Sequence, residues 1–124
     1  MKPRRPQEHT FDVLPVKVYL FTRRKDVVDH CEKFDFGKPP PAGAAGATWL
    51  TYDTETGRSH VAIWINLAWH DKQGPGELDS TIVHEAVHAA CQIFDQLGQH
   101  YDGTSEVLPY LVEAIVRWIR EVPS

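Results

Sequence analysis

The chain has 124 residues, 42% of them hydrophobic and 24% charged, and a formal net charge of -4. That length suits one core better than two, and the acidic balance speaks against nucleic-acid binding through bulk electrostatics, which needs a basic face. With only Cys31 and Cys91, and no apolar run of membrane-spanning or signal-peptide form, we expect free thiols, a cytoplasmic setting and no membrane partner.

Residues 1–10 carry two prolines and little to bury after Met1, so they read as a flexible arm ahead of a single domain over 11–124. Val16 to Phe21 is β-branched and aromatic, which predicts a strand, with Thr22 as a helix cap after it. Val27, Val28, Cys31 and Phe34 recur at helical spacing, so a helix should run from Arg23 to about Phe34 and stop before Gly37 and the prolines that follow. Lys38 to Ala47, rich in Pro, Gly and Ala, reads as an exposed loop. Trp49 to Tyr52 and Ser59 to Asn66 form a predicted hairpin, and Leu67 to Glu77 a loop marked by Gly74-Pro75-Gly76. Two helices complete the chain: one capped near Asp79, Ser80 or Thr81 and ending at Leu97, the other from Ser105 to Glu121. The basic groups at Lys2, Arg4, Arg5 and at Arg23, Arg24, Lys25 read as solvated surface.

The first of these last two helices holds His84-Glu85-Ala86-Val87-His88. Four residues turn a helix through about 400°, so the two imidazoles stand on one face, one turn apart, as a tetrahedral zinc site needs. Glu85 lies beside them, about 100° round from His84, where its carboxylate can take a proton from water held at the ion. Ile82, Val83, Ala86, Ala89, Ala90 and Ile93 fall on the opposite arc, which separates a core face from a ligand face. Asp95 shares the histidine side and is a candidate to orient a ligand imidazole. Five such letters arise by chance roughly 0.025 times in a chain of this composition, so the surrounding helix and strand carry part of the weight.

A catalytic zinc ion wants a third protein ligand and an open position. Glu106 and Glu113 compete for that place on the last helix, and Glu113 has Arg117 four residues on as an ion-pair partner, which favours Glu106. Pro109 is comfortable only in a first turn, so the helix starts near Ser105 or leaves Glu106 in the loop before it. Tyr110 is the candidate donor to an oxyanion, with His100 and Tyr101 next and His60 and His70 behind them.

The run Ile82-Val83-His84-Glu85-Ala86-Val87-His88-Ala89, followed by Glu106-Val107-Leu108-Pro109-Tyr110, resembles the gluzincin group of zinc metallopeptidases, and more narrowly the short zincin-like proteins of phage and prophage genomes. The resemblance covers roughly Thr81 to Arg120. It implies a minimal zincin-like α+β fold: a small, mostly antiparallel sheet against the HExxH helix and a C-terminal helix. It also implies an edge strand, here Ser59 to Asn66, that binds substrate backbone. The function expected is hydrolysis of peptide bonds with Zn2+ held by His84, His88 and Glu106, Glu85 as general base and Tyr110 assisting. The substrate would be a protein or peptide of narrow range, such as a host regulator, since so small a domain has little room for a broad pocket. Two rivals predict different behaviour: a zinc-stabilised binding module that hydrolyses nothing, and a metal-free structural or DNA-associated protein.

Overall fold

Residues 61–65, Val-Ala-Ile-Trp-Ile, have no polar side chain to offer water on either face, and the chain places them at the centre of its sheet. The structure, a computed structural model, describes residues 7–10, 16–34, 38–53, 57–96 and 107–122. In chain order its elements are β1 (Gln7–Thr10), β2 (Lys17–Phe21), α1 (Arg24–Phe34), β3 (Gly46–Asp53), β4 (Arg58–Ile65), α2 (Leu67–Gln73), α3 (Leu78–Gln96) and α4 (Val107–Glu121). The strands form one sheet in the order β1-β2-β4-β3. The class is α+β, as expected, and the sheet is mostly antiparallel: β1 with β2 and β3 with β4 are antiparallel, while β2 and β4 run parallel.

Side chains on successive strand residues alternate between faces, and here both faces are covered. Val18, Leu20, Val61, Ile63 and Ile65 join Ile82, Ala86, Ala90, Ile93, Leu111 and Ile115 in the larger core, under α3 and α4. Phe21, Ala62 and Trp64 turn the other way and meet Val27 and Cys31 of α1. Phe21 stacks on Trp49 with ring centroids 5.9 Å apart, and the Arg24 guanidinium lies 5.3 Å from the Trp64 ring centroid. Cys31 is buried, Cys91 is exposed and both are free. Burial pushes the Cys31 thiol pKa up, against the smaller opposing pull of Arg24. No helix among the described residues is long and apolar enough to cross a membrane.

Four expectations need correction. Gln7–Thr10 is not part of a loose arm but pairs with β2 from Gln7 opposite Leu20 to Thr10 opposite Lys17; main-chain hydrogen bonds to a free strand edge need no apolar side chains, so hydropathy gives no sign of them. Leu67–Gln73 is a helix, not a loop, because the Asn66 side chain accepts from the Trp69 N–H at 3.1 Å and so caps it. Two turns are too few to set up a helical period. The third strand begins at Gly46, three residues earlier than Trp49. Most consequential, Ser59 to Asn66 is not an edge: β4 is flanked by β2 and β3, and the free edge beside α3 belongs to β3.

Candidate metal centre

The helix that carries the histidines is held by small residues. Ala86, Ala89 and Ala90 have no exposed surface, so α3 lies close against the sheet, with Ile82, Ile93 and Phe94 filling in around them. Val83 departs from the expected core arc: it is 42% exposed and lines an open groove between α3 and α4. On the opposite side His84 and His88 face solvent. Their Nε2 atoms are 3.2 Å apart, with ring centroids separated by 4.7 Å and the rings inclined at 74°.

Two imidazole nitrogens at that separation, each on a bond of about 2.0–2.1 Å to a common ion, subtend about 100° at it, close to the tetrahedral value. That separation is therefore one that a common zinc ion could span. Neutral imidazole nitrogens are ordinary zinc donors, and two of them leave positions for a further ligand and for water.

Glu85 differs from its neighbours in being buried, at 6% exposure. Its carboxylate Oε1 accepts a hydrogen bond from the Thr48 hydroxyl at 2.9 Å, and the same hydroxyl lies 3.2 Å from the Glu85 main-chain carbonyl. Thr48 sits on β3, so the edge strand grips the residue between the two histidines. Close passage makes this possible: a Cβ on Gly46 would stand 2.8 Å from the Trp64 carbonyl oxygen and 3.2 Å from Glu85 Cγ. Beside the grip an open cleft of about 520 Å³ is lined by Ala45, Gly46, Glu77, Thr81, His84 and Glu85. Its β3 wall is pinned, because the Asn66 side-chain amide donates to the Ala42 and Ala44 carbonyls at 3.2 and 2.8 Å and the Asn66 N–H to Ala45 at 3.0 Å. Thr48 is not visible as a site residue in the sequence.

Compared with known proteins, the chain matches no family model, no curated sequence and no solved structure. Geometry has to carry the functional reading.

The remaining candidates are placed as follows. Glu113 is exposed and lines the groove between α3 and α4 with Arg117, and among the described residues no third His, Cys, Asp or Glu gathers with His84 and His88 into a metal-holding group. Glu106 immediately precedes α4 and lies outside the described residues, as do Leu97, His100 and Tyr101. Pro109 is the third residue of α4, within its first turn, where a proline is tolerated. Tyr110 is 65% exposed and makes no hydrogen bond or ring contact with the histidine pair. Asp95 is exposed near the end of α3. His60 is buried in the sheet, its Nδ1 accepting from the Lys17 N–H at 3.2 Å, and His70 is buried on α2; neither belongs to the cleft.

On the face of the sheet away from α3, His30 is also buried, with Nε2 2.9 Å from the Thr51 hydroxyl and its ring against Tyr19 and Phe21. Desolvation, reinforced by the nearby Lys33 charge, holds its pKa down at about 4.

Proposed function

We propose that the chain is a zinc-dependent peptidase of the gluzincin type, with His84, His88 and Glu106 as ligands and Glu85 as general base. The observation that carries the reading is the pair of solvent-facing imidazoles with nitrogens 3.2 Å apart beside Glu85, a buried residue that lines the same cleft as His84. An ordinary amphipathic helix gives no reason to bury a glutamate between two exposed histidines, because a carboxylate without a donor costs several kcal/mol to desolvate. Thr48 is the donor that offsets this cost.

When bound, zinc supplies the Lewis acidity that lets water lose a proton near neutral pH. Glu85 accepts that proton and returns it to the nitrogen of the broken amide, so water and peptide become a carboxylate and an amine with no covalent enzyme intermediate. The exposed hydroxyl of Tyr110 is assigned to the carbonyl oxygen as its charge develops, turning onto substrate from the first turn of α4. With Glu113 lining the groove between α3 and α4, Glu106 is preferred of the two glutamates proposed as third ligand. The substrate is a protein or peptide of narrow range, in keeping with the small open cleft beside His84.

Metal content of the purified chain tests the ligand set. Wild type and Glu113→Ala should hold about one equivalent of zinc, while His84→Ala and Glu106→Ala lose it. Glu85→Gln should keep the metal and abolish cleavage of a peptide library. Zinc bound without any turnover by the wild type would transfer the case to a binding module, and a metal-free wild type would end it.

A further inference from the structure

Of the large apolar side chains exposed among the described residues, four lie on α3 and α4: Val83, Val87, Val107 and Tyr110. Val83 and Val87 are each 42% exposed and stand one helical turn apart, so they form a line along α3. Across an open groove of about 610 Å³, Val83 is met by Val112 and Val116 of α4, both part-buried against the core. Apolar surface gathered in one concave place is unfavourable in water and marks a face that another surface covers.

The charges beside these valines indicate which surface that is. The groove is also lined by Glu113, Arg117, Arg120 and Glu121, two groups of each sign. Arg120 is engaged by Asp79 at 3.3 Å. Glu113 and Arg117 are exposed, and among the described residues neither makes an ion pair or a side-chain hydrogen bond, although their spacing along α4 would let them pair with each other.

A second copy of the chain supplies both missing partners. When two α4 helices lie antiparallel about a two-fold axis, a residue on one side of the axis faces, on the other copy, the residue equally far beyond it. Glu113 and Arg117 are symmetric about Ile115, and Val112 and Val116 about Ala114. One axis crossing α4 there opposes Glu113 to Arg117 twice and Val112 to Val116 twice. The valines then make an apolar centre and the ion pairs a polar rim, as protein interfaces are built. A partner surface of one sign would satisfy only one of the two charges, whereas the same chain turned through a half circle satisfies both.

We infer that the chain forms an isologous two-fold dimer through the groove between α3 and α4, with Glu113 of each copy paired to Arg117 of the other. The dimer does not rest on the peptidase reading, and its test is the state of association.

Sedimentation equilibrium of the full chain from about 1 μM to about 1 mM, a span that covers the affinities of small interfaces, should show reversible dimerisation. Glu113→Arg and Arg117→Glu each set like charges against each other at both rim positions, so each should weaken the dimer roughly tenfold or more. Their circular dichroism and urea unfolding should match the wild type, since both side chains are exposed. An equimolar mixture of the two variants should dimerise again, because an all-basic rim then meets an all-acidic one, and no effect confined to one chain can produce that rescue. A wild type that stays monomeric to the top of the range, a dimer indifferent to both reversals, or a mixture that associates no better than its separate components would each overturn the inference.

Discussion

Thr48→Val is the perturbation that separates a held carboxylate from one that is simply buried. Valine has nearly the shape of threonine, so the change removes the hydroxyl that stands 2.9 Å from Glu85 Oε1 and leaves the strand intact. A hydrogen bond to a charged group contributes about 1.5–3 kcal/mol. If the bond is what keeps the base in place, losing it lowers kcat/KM for peptide cleavage by roughly 10- to 150-fold, at tenfold per 1.36 kcal/mol. Folding responds on the same scale, because Glu85 is 6% exposed and its carboxylate is left without its donor; urea unfolding should show a loss of about 1–3 kcal/mol. The assay combines three measurements on each variant: zinc content, unfolding free energy and the rate on a cleavable peptide. Zinc content should not change, since the 3.2 Å spacing of the imidazoles is set within α3. Thr48→Ser should recover most of the rate. A valine variant with full zinc, wild-type stability and wild-type rate would refute the reasoning, as would a serine variant no better than valine.

Protonation of His30 should limit stability in acid. Its pKa falls from 6.5 in the unfolded chain to about 4 in the fold, so between those values the unfolded state binds more protons, and stability is lost as pH drops through that window, by up to about 3 kcal/mol. Unfolding free energies at pH 8 and pH 4 check this, and His30→Phe should flatten the difference. Gly46→Ala puts a methyl group 2.8 Å from the Trp64 carbonyl, and overpacking of this kind costs about 1–3 kcal/mol; its zinc content should stay while cleavage falls, because β3 and its Thr48 are pushed from α3. Asn66→Ala removes the cap of α2 and both side-chain bonds to the 42–44 turn, and thermal unfolding should report a loss of about 1–3 kcal/mol.

What was legible in the sequence is what lies within one element. The period of Ile82, Ala86, Ala89, Ala90 and Ile93 gives α3 and its buried face, and the four-residue spacing of His84 and His88 gives their convergence. Relations between elements were harder. Ser59 to Asn66 was expected at an edge, yet the lack of any polar residue in 61–65 is the mark of a strand covered on both faces, and β4 is central. Thr48 could not be found, since a threonine in a β-prone run looks like any other until the strand is known to pass Glu85. Gly46 was the available signal: a glycine at the start of a strand often marks close approach of another backbone. In the sequence it lies within a run of prolines and alanines, which hides it.

The site also depends on how thin the packing is between α3 and the sheet. Alanines at 86, 89 and 90 bury without adding bulk, and interhelical or helix–sheet distances follow the size of the side chains at the contact. Larger residues there would seat the helix further out and carry Glu85 beyond the reach of a threonine hydroxyl on β3. The histidine pair would be unaffected, because its spacing is internal to the helix. The geometry of the histidine pair and the placement of Glu85 thus have separate origins in this chain: the first is written in helical spacing, the second in the small volumes of three alanines and one glycine. A sequence that kept the five-residue motif but enlarged those four positions would be expected to hold metal and hydrolyse poorly, which is why the motif by itself says less about activity than the residues packed behind it.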